Sequence, residues 1–179
     1  IMSSDWSSDV CSSDLPFRLH KTWVHEGGIA TPLIVHWPEG IDEHGAFREM
    51  PSHIIDIAPT ILELAGSDPS RLDGRATHPG ISLVPSLAEN RLTGRPPIFF
   101  HHEKKKALRH GNWKITTIEK NGPWELYDLS SDRGETEDLS ASEPERLEEL
   151  TGLWEKQRAA IEAQLTQKTA PSTESKSGI

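Results

Sequence analysis

Between residues 97 and 128, short runs of β-branched and aromatic residues follow one another closely, and behind them comes a long stretch whose apolar residues keep helical spacing. That juxtaposition constrains the fold more than any other feature of the chain. Ile98-Phe99-Phe100, Ala107 to Arg109, Trp113-Lys114-Ile115-Thr116-Thr117-Ile118 and Trp124-Glu125-Leu126-Tyr127 have the length and composition of strands. Asn121-Gly122, between the last two, suits a tight hairpin because both residues tolerate positive φ. Ser142-Glu143-Pro144-Glu145 reads as a capping-box-like helix start with proline early in the first turn. Leu147, Leu150, Trp154, Ile161 and Leu165 then fall on one stripe. The expectation is a small antiparallel sheet packed by a long C-terminal helix. Trp113, Trp124 and Trp154 are expected to fill the seam between them rather than to stack on bases or sugars.

Upstream, Leu33-Ile34-Val35-His36-Trp37 is an apolar run bounded by Pro32 and Pro38, the pattern of a buried strand. Ile57, Ile61, Leu62, Leu64 and Ala65 keep helical spacing, with Asp56 as N-cap, Pro59 in the first turn and Gly66 as the left-handed C-terminal residue. A loop rich in Gly, Pro and Ser is expected over most of 66–97.

The first fifteen residues stand apart. Ser-Ser-Asp followed by an apolar residue recurs at 3–6, 7–10 and 12–15, with too few apolar positions to pack a face. The segment resembles translated sequencing-adapter sequence and is set outside the fold, together with Cys11, the only cysteine. The chain carries 28 acidic and 19 basic residues, net −9; without the three aspartates of the repeat it is still −6. An acidic chain of this kind is not expected to track nucleic-acid phosphates. No apolar run reaches the roughly 20 residues of a membrane span. Cellular location is left open.

Four segments in order carry a family resemblance. They are Lys21-Thr22-Trp23-Val24-His25-Glu26-Gly27-Gly28 leading to Trp37-Pro38; Asp56-Ile57-Ala58-Pro59-Thr60-Ile61 with Leu64-Ala65-Gly66; Gly80-Ile81-Ser82-Leu83 with Pro85 and Leu87; and Ala107 through Gly111-Asn112-Trp113-Lys114 to Trp124-Glu125-Leu126-Tyr127-Asp128-Leu129 and Glu137-Asp138-Leu139. Over 16–165 they resemble the C-terminal third of arylsulfatases of the alkaline-phosphatase-like superfamily. The resemblance implies an α/β fold: the end of an alkaline-phosphatase-like central sheet in 16–96, then the sheet-and-helix subdomain in 97–168, with a polar, disordered tail at 169–179. It implies a sulfuric ester hydrolase that uses a formylglycine, made in a Cys/Ser-x-Pro-x-Arg motif, and a calcium ion. The two Ser-x-Pro-x-Arg runs of this chain, Ser67-Asp68-Pro69-Ser70-Arg71 and Ser142-Glu143-Pro144-Glu145-Arg146, follow Lys21, whereas the resemblance implies a motif before the lysine. Nucleophile and calcium ligands are expected upstream, in a missing N-terminal portion of the same enzyme, so the fragment is expected to be inactive alone.

Lys21 matches the family lysine that contacts the sulfate, where a compact charge with three donors suits oxygens gaining negative charge. His25 is a candidate pocket wall, with a packed or capping histidine as the stronger reading. Glu26 is expected to bind backbone N–H groups at the Gly27-Gly28 turn, and the glycines to supply a backbone conformation other residues resist. His102 is a candidate substrate contact at a strand end; His101, its neighbour, should point to the opposite face. Where similar sulfatases often have His-Glu-Gly-Asn-Arg, this chain has His102-Glu103-Lys104-Lys105-Lys106, either a solvated charged turn or an attractor of anionic substrate. The partner expected is a sulfate ester. Two other classes remain: a phosphodiesterase or phosphatase of the same superfamily, and a non-catalytic sheet-helix binding module.

Overall fold

The computed structural model describes residues 17–43, 45–68, 79–89 and 94–169, with side chains to 166. The expectations for residues 1–15 and for the tail beyond 169 lie outside them. The chain divides into two compact units, one of residues 30–98 and one that joins 17–29 to 99–169.

The second of these is the sheet and helix. Strands β1 (Ile98–His102), β2 (Lys105–His110), β3 (Trp113–Thr117) and β4 (Glu125–Asp128) lie side by side in sequence order. The β2–β3 and β3–β4 pairs are antiparallel, with Leu108 opposite Ile115 and Ile115 opposite Leu126. Those three residues are fully buried and form the core with Leu150 and Trp154 of the helix, ringed by Phe99, Trp113, Trp124, Leu139, Leu147 and Leu153. The alternation of each strand thus puts one face under the helix.

The tight hairpin falls elsewhere than expected. β2 and β3 turn over Gly111-Asn112, with Gly111 at φ 61° in the first central position. Asn121 and Gly122 lie in the longer β3–β4 connection, and neither has positive φ. Gly122 is needed there for room, since a Cβ would stand 2.7 Å from that of Glu119.

The long helix runs over Pro144–Thr169. Pro144 is its first residue, where a missing N–H costs nothing. The Ser142 hydroxyl donates to the Leu139 carbonyl instead of closing a capping box. The apolar stripe is shorter than the spacing suggested: Leu150 and Trp154 are 1% exposed, but Ile161 is 42% and Leu165 60% exposed. Geometry explains this, because 26 residues span about 39 Å, whereas four strands about 4.8 Å apart make a sheet only about 15 Å across. The helix outruns the sheet.

In the unit of 30–98 a single 3₁₀ turn, Ile54–Asp56, leads into helix α2 (Ile57–Leu64), and a helix not anticipated in the loop follows at Val84–Glu89. α1 (Glu26–Ile29) precedes these in the chain; we number Val84–Glu89 α3 and the long helix α4. Asp56 is the N-cap residue of α2, yet its carboxylate gives that helix no bond. It accepts from the N–H groups of His53 and Ile81 and pairs with Arg95 at 2.7 Å. Gly66 closes α2 as expected, at φ 69°, with Ser67 N–H on Leu62 O and Gly66 N–H on Glu63 O. The buried side of α2 is Pro59 and Thr60; the Thr60 hydroxyl accepts from Leu83 N–H.

Residues 31–37 form no strand, and Leu33, Ile34, Val35 and Trp37 are exposed. A strand exists only through its ladder partner, and none pairs with this run among the described residues. The strand expected at 33–37 is therefore not seen among the described residues. Among the described residues no helix is long and apolar enough to cross a membrane.

Candidate functional site

The face of the sheet turned away from α4 is polar. Alternation places Lys105, Ala107 and Arg109 of β2, Lys114 and Thr116 of β3, and Glu125 and Tyr127 of β4 on it. Residues 17–29 lie across it as a strap, so Lys114 and Thr116 are wholly buried despite their polarity. A buried lysine is tolerable only when paired. Lys114 Nζ hydrogen-bonds Glu26 Oε1 at 2.9 Å and pairs with Glu135 Oε1 at 2.7 Å. Glu135 also accepts from the Glu26 backbone N–H at 2.7 Å. Arg109 and Arg133 approach the second oxygen of Glu26 at 4.0 and 3.8 Å, balancing two buried carboxylates against one buried ammonium.

Glu26 therefore serves differently from the expectation. Its carboxylate meets lysine and arginine side chains of the sheet, not N–H groups of the glycine turn. Gly27 and Gly28 are required for closeness, not for φ, since neither has positive φ. A Cβ on Gly27 would stand 2.0 Å from Leu19 O, and one on Gly28 2.2 Å from Trp23 O. The strap closes on itself where Gly27 N–H donates to Arg18 O at 3.0 Å.

Lys21 sits in the loop that this closure makes. It is exposed and makes no ion pair among the described residues. Leu19 and Thr22 flank it at φ 63° and 80°, a region that costs roughly 1–2 kcal/mol for residues with a Cβ. Such backbone persists only where surrounding contacts hold it.

His25 is fully buried, with Nε2 3.0 Å from Glu125 Oε2. A carboxylate can only accept, so Nε2 carries the proton; Nδ1 is buried without a hydrogen-bond partner. The same Glu125 oxygen takes Arg18 Nη1 at 3.3 Å, and that Nη1 also donates to the Tyr127 hydroxyl at 2.5 Å. These partners, His25 foremost, hold the Glu125 carboxyl down at about 2 against its partial burial. Burial and the adjacent carboxylate push the Tyr127 phenol up, so it stays protonated. An open cleft lies beside this group, lined by Phe17, Arg18, Tyr127, Gly134 and Asp138 among others.

His102 is exposed at the end of β1. His101 faces the other way, its ring edge-on to Trp154 at 5.7 Å. The lysine turn is only partly solvated. Lys105 Nζ lies 4.8 Å from the centre of the Trp23 ring, and Lys106 lies over Trp124 and Trp154 and donates to Lys120 O. Lys104 alone of the three is exposed. Trp23 beside Lys105 brings the strap and the β1–β2 turn together. Arg18, Lys114, Glu125, Tyr127 and Glu135 were not anticipated as site residues. The one available signal was charge on strand positions opposite the apolar ones, which ordinarily marks a solvent face.

The described residues thus form a polar-faced antiparallel sheet, backed by one long helix and crossed by a Lys-x₄-Glu-Gly-Gly strap. Residues 17–164 match the family described as N-sulphoglucosamine sulphohydrolase, C-terminal, and the chain belongs to that family. It is 34% identical over 164 residues to an uncharacterized sulfatase of Schizosaccharomyces pombe, covering 78% of this chain and 26% of that one. It is 28% identical over 141 residues to N-acetylgalactosamine-6-sulfatase of Homo sapiens, covering 79% and 26%. The crystal structure of Ps i-CgsB superposes with a TM-score of 0.69 at 26% identity, over 79% of this chain and 32% of that one. The chain thus spans about a quarter of the length of these curated relatives.

Proposed function

We propose that this chain is the C-terminal portion of a sulfatase that hydrolyses sulfate esters, with Lys21 donating to the sulfate oxygens. The observation that carries the reading is Lys21 itself, held exposed in a loop with positive φ at Leu19 and Thr22 and with Arg18 and His25 paired to Glu125 at its ends, within the segment that matches the family. A charged donor gains most where the sulfate oxygens gain charge in the transition state. His102 and the exposed Lys104 are candidates for contact with the remainder of the substrate. His25 and Glu26 support the strap from beneath; neither is placed to meet substrate.

Formylglycine and calcium are the cofactors the family implies. The chain's Ser-x-Pro-x-Arg runs, at Ser67 to Arg71 and Ser142 to Arg146, both follow Lys21, whereas the formylglycine motif that the family implies precedes the lysine. Among the described residues no group of three or more His, Cys, Asp or Glu side chains could hold a metal. Among the described residues the donor set fits no calcium ion. N-acetylgalactosamine-6-sulfatase is named for a sugar sulfate, and Ps i-CgsB has also been crystallised in complex with k-i-k-neocarrahexaose. A sulfated saccharide is therefore the ester to try beside a chromogenic aryl sulfate.

The test is turnover with calcium present. The chain alone is expected to show none. Joined to the N-terminal portion of a sulfatase relative it should hydrolyse the ester, and Lys21→Ala should lower kcat/KM by about 10²–10³-fold, the effect of losing one charged donor. Turnover by the chain alone, or a fully active Lys21→Ala enzyme, would sink the reading. Hydrolysis of phosphate esters in place of sulfate esters would favour a phosphatase-type relative.

A further inference from the structure

Lys21 stands in a loop whose two ends meet on one carboxylate oxygen. Arg18, three residues before it, and His25, four residues after it, both reach Glu125 Oε2, at 3.3 and 3.0 Å. Arg18 Nη2 adds a contact to Glu125 Oε1 at 3.5 Å. The Arg18 guanidinium is further fixed by the Tyr127 hydroxyl and the Glu135 carbonyl. On the far side the Gly27 N–H closes onto Arg18 O, and Glu26 is sunk into the Lys114–Glu135 pair. Between these anchors Thr22 takes positive φ as the third residue of a turn that Trp23 N–H closes on His20 O at 3.1 Å, and Leu19 keeps positive φ beside Arg18.

We propose that Glu125 is a positioning residue: by holding Arg18 and His25 together it closes the base of the loop and fixes where the Lys21 ammonium stands. The sheet thereby contributes to the reaction through a side chain that touches no substrate. A lysine has four rotatable side-chain bonds, so a backbone free to move as well would spread its charge over a wide volume. Clamping the base removes the backbone part of that freedom before substrate arrives, which is where positioning lowers a barrier. An amide at this place can leave one oxygen to Arg18 Nη1 and His25, but it turns an NH₂ toward Arg18 Nη2 and removes the negative charge that draws both donors in, weakening the clamp while keeping the side chain's shape.

The catalytic consequence rests on the sulfatase reading; the clamp does not, and the two are tested apart. In the chain as it stands, Glu125→Gln should raise amide hydrogen exchange across residues 19–24 by about tenfold or more, with exchange at Leu108 and Ile115 in the β2–β3 ladder unchanged. Unchanged exchange in 19–24 overturns the clamp, as does loosening that extends equally to the ladder. In the chain joined to a sulfatase N-terminal portion, Glu125→Gln should lower kcat about tenfold with little change in KM, and should cost nothing further in a Lys21→Ala background. An equal loss in both backgrounds shows that Glu125 acts on folding and not through Lys21, and overturns the positioning role. If the joined wild type hydrolyses no sulfate ester, the proposed function fails while the exchange result still decides the clamp.

Discussion

Lys114 is the residue on which the polar face turns. It is fully buried between two carboxylates, Glu26 and Glu135, that are themselves 2% exposed or less. Replacing it with methionine keeps the volume and strands both acids without their cation. Breaking such a buried set from one side costs about 3–5 kcal/mol, so Lys114→Met should shift the urea midpoint sharply downward. Glu125 adds a pH dependence whose sign follows from its depressed carboxyl. The folded value of about 2 lies below the ordinary 4.5, so its contribution is complete above pH 4.5 and is lost as pH falls toward 2. The stability gap between wild type and Glu125→Gln should therefore be constant near neutrality and narrow between pH 4.5 and 2; a gap that widens on acidification would contradict the His25–Glu125 pairing. At this scale the sequence was half legible. The motif Lys21-x₄-Glu26-Gly27-Gly28 marked the strap, but the partners of Arg18, His25 and Glu26 lie about a hundred residues on. Nothing local to Lys114 or Glu125 distinguishes a solvated strand position from one that a distant segment will cover.

At the scale of elements, short runs of β-branched and aromatic residues identified the strands, and apolar residues at helical spacing identified the helix that packs on them, because burial on one face leaves a pattern within each element. What such a pattern cannot show is where it ceases to be used. Ile161 and Leu165 continue the stripe of Trp154 in sequence, yet they extend past the sheet. The strand expected at 33–37 failed for the related reason that an apolar run does not name its ladder partner. The helix supplies a direct comparison. Trp154 stacks on Phe99 at 5.1 Å and meets Trp124 edge-on at 5.6 Å. Trp154→Ala should cost about 3–5 kcal/mol. Ending the chain after Arg158 removes Ile161, Leu165 and the exposed Arg158–Glu162 pair, and should change stability by no more than about 0.5 kcal/mol. Thermal unfolding of the two variants measures both; a large loss on truncation would mean that the outer half of α4 packs on something.

Across the whole molecule the two units differ in what holds them. Residues 99–169 with 17–29 enclose an apolar core on one side of a sheet and a paired charge network on the other. Residues 30–98 leave Leu33, Ile34, Val35, Trp37, Phe47, Ile54, Ile57, Ile61 and Leu64 exposed. Their strongest buried links are polar, namely Asp56 with Arg95, Thr60 with Leu83 N–H, and Arg48 on the carbonyls that end α3. The described residues of this unit bury little apolar surface and so gain little against chain entropy; its opening free energy should therefore be small. Hydrogen exchange of the intact chain should accordingly show two classes. Amides of β2 and β3 should exchange only through global unfolding, and those of α2 should exchange orders of magnitude faster. The exposed apolar side chains should bind a hydrophobic dye such as ANS in the native chain, and that signal should fall when the chain is joined to the N-terminal portion of a sulfatase, if that portion covers them. Equal protection of α2 and β3, with no dye binding, would show that residues 30–98 are as well packed as the sheet unit and that the exposed apolar face is already satisfied within these 179 residues.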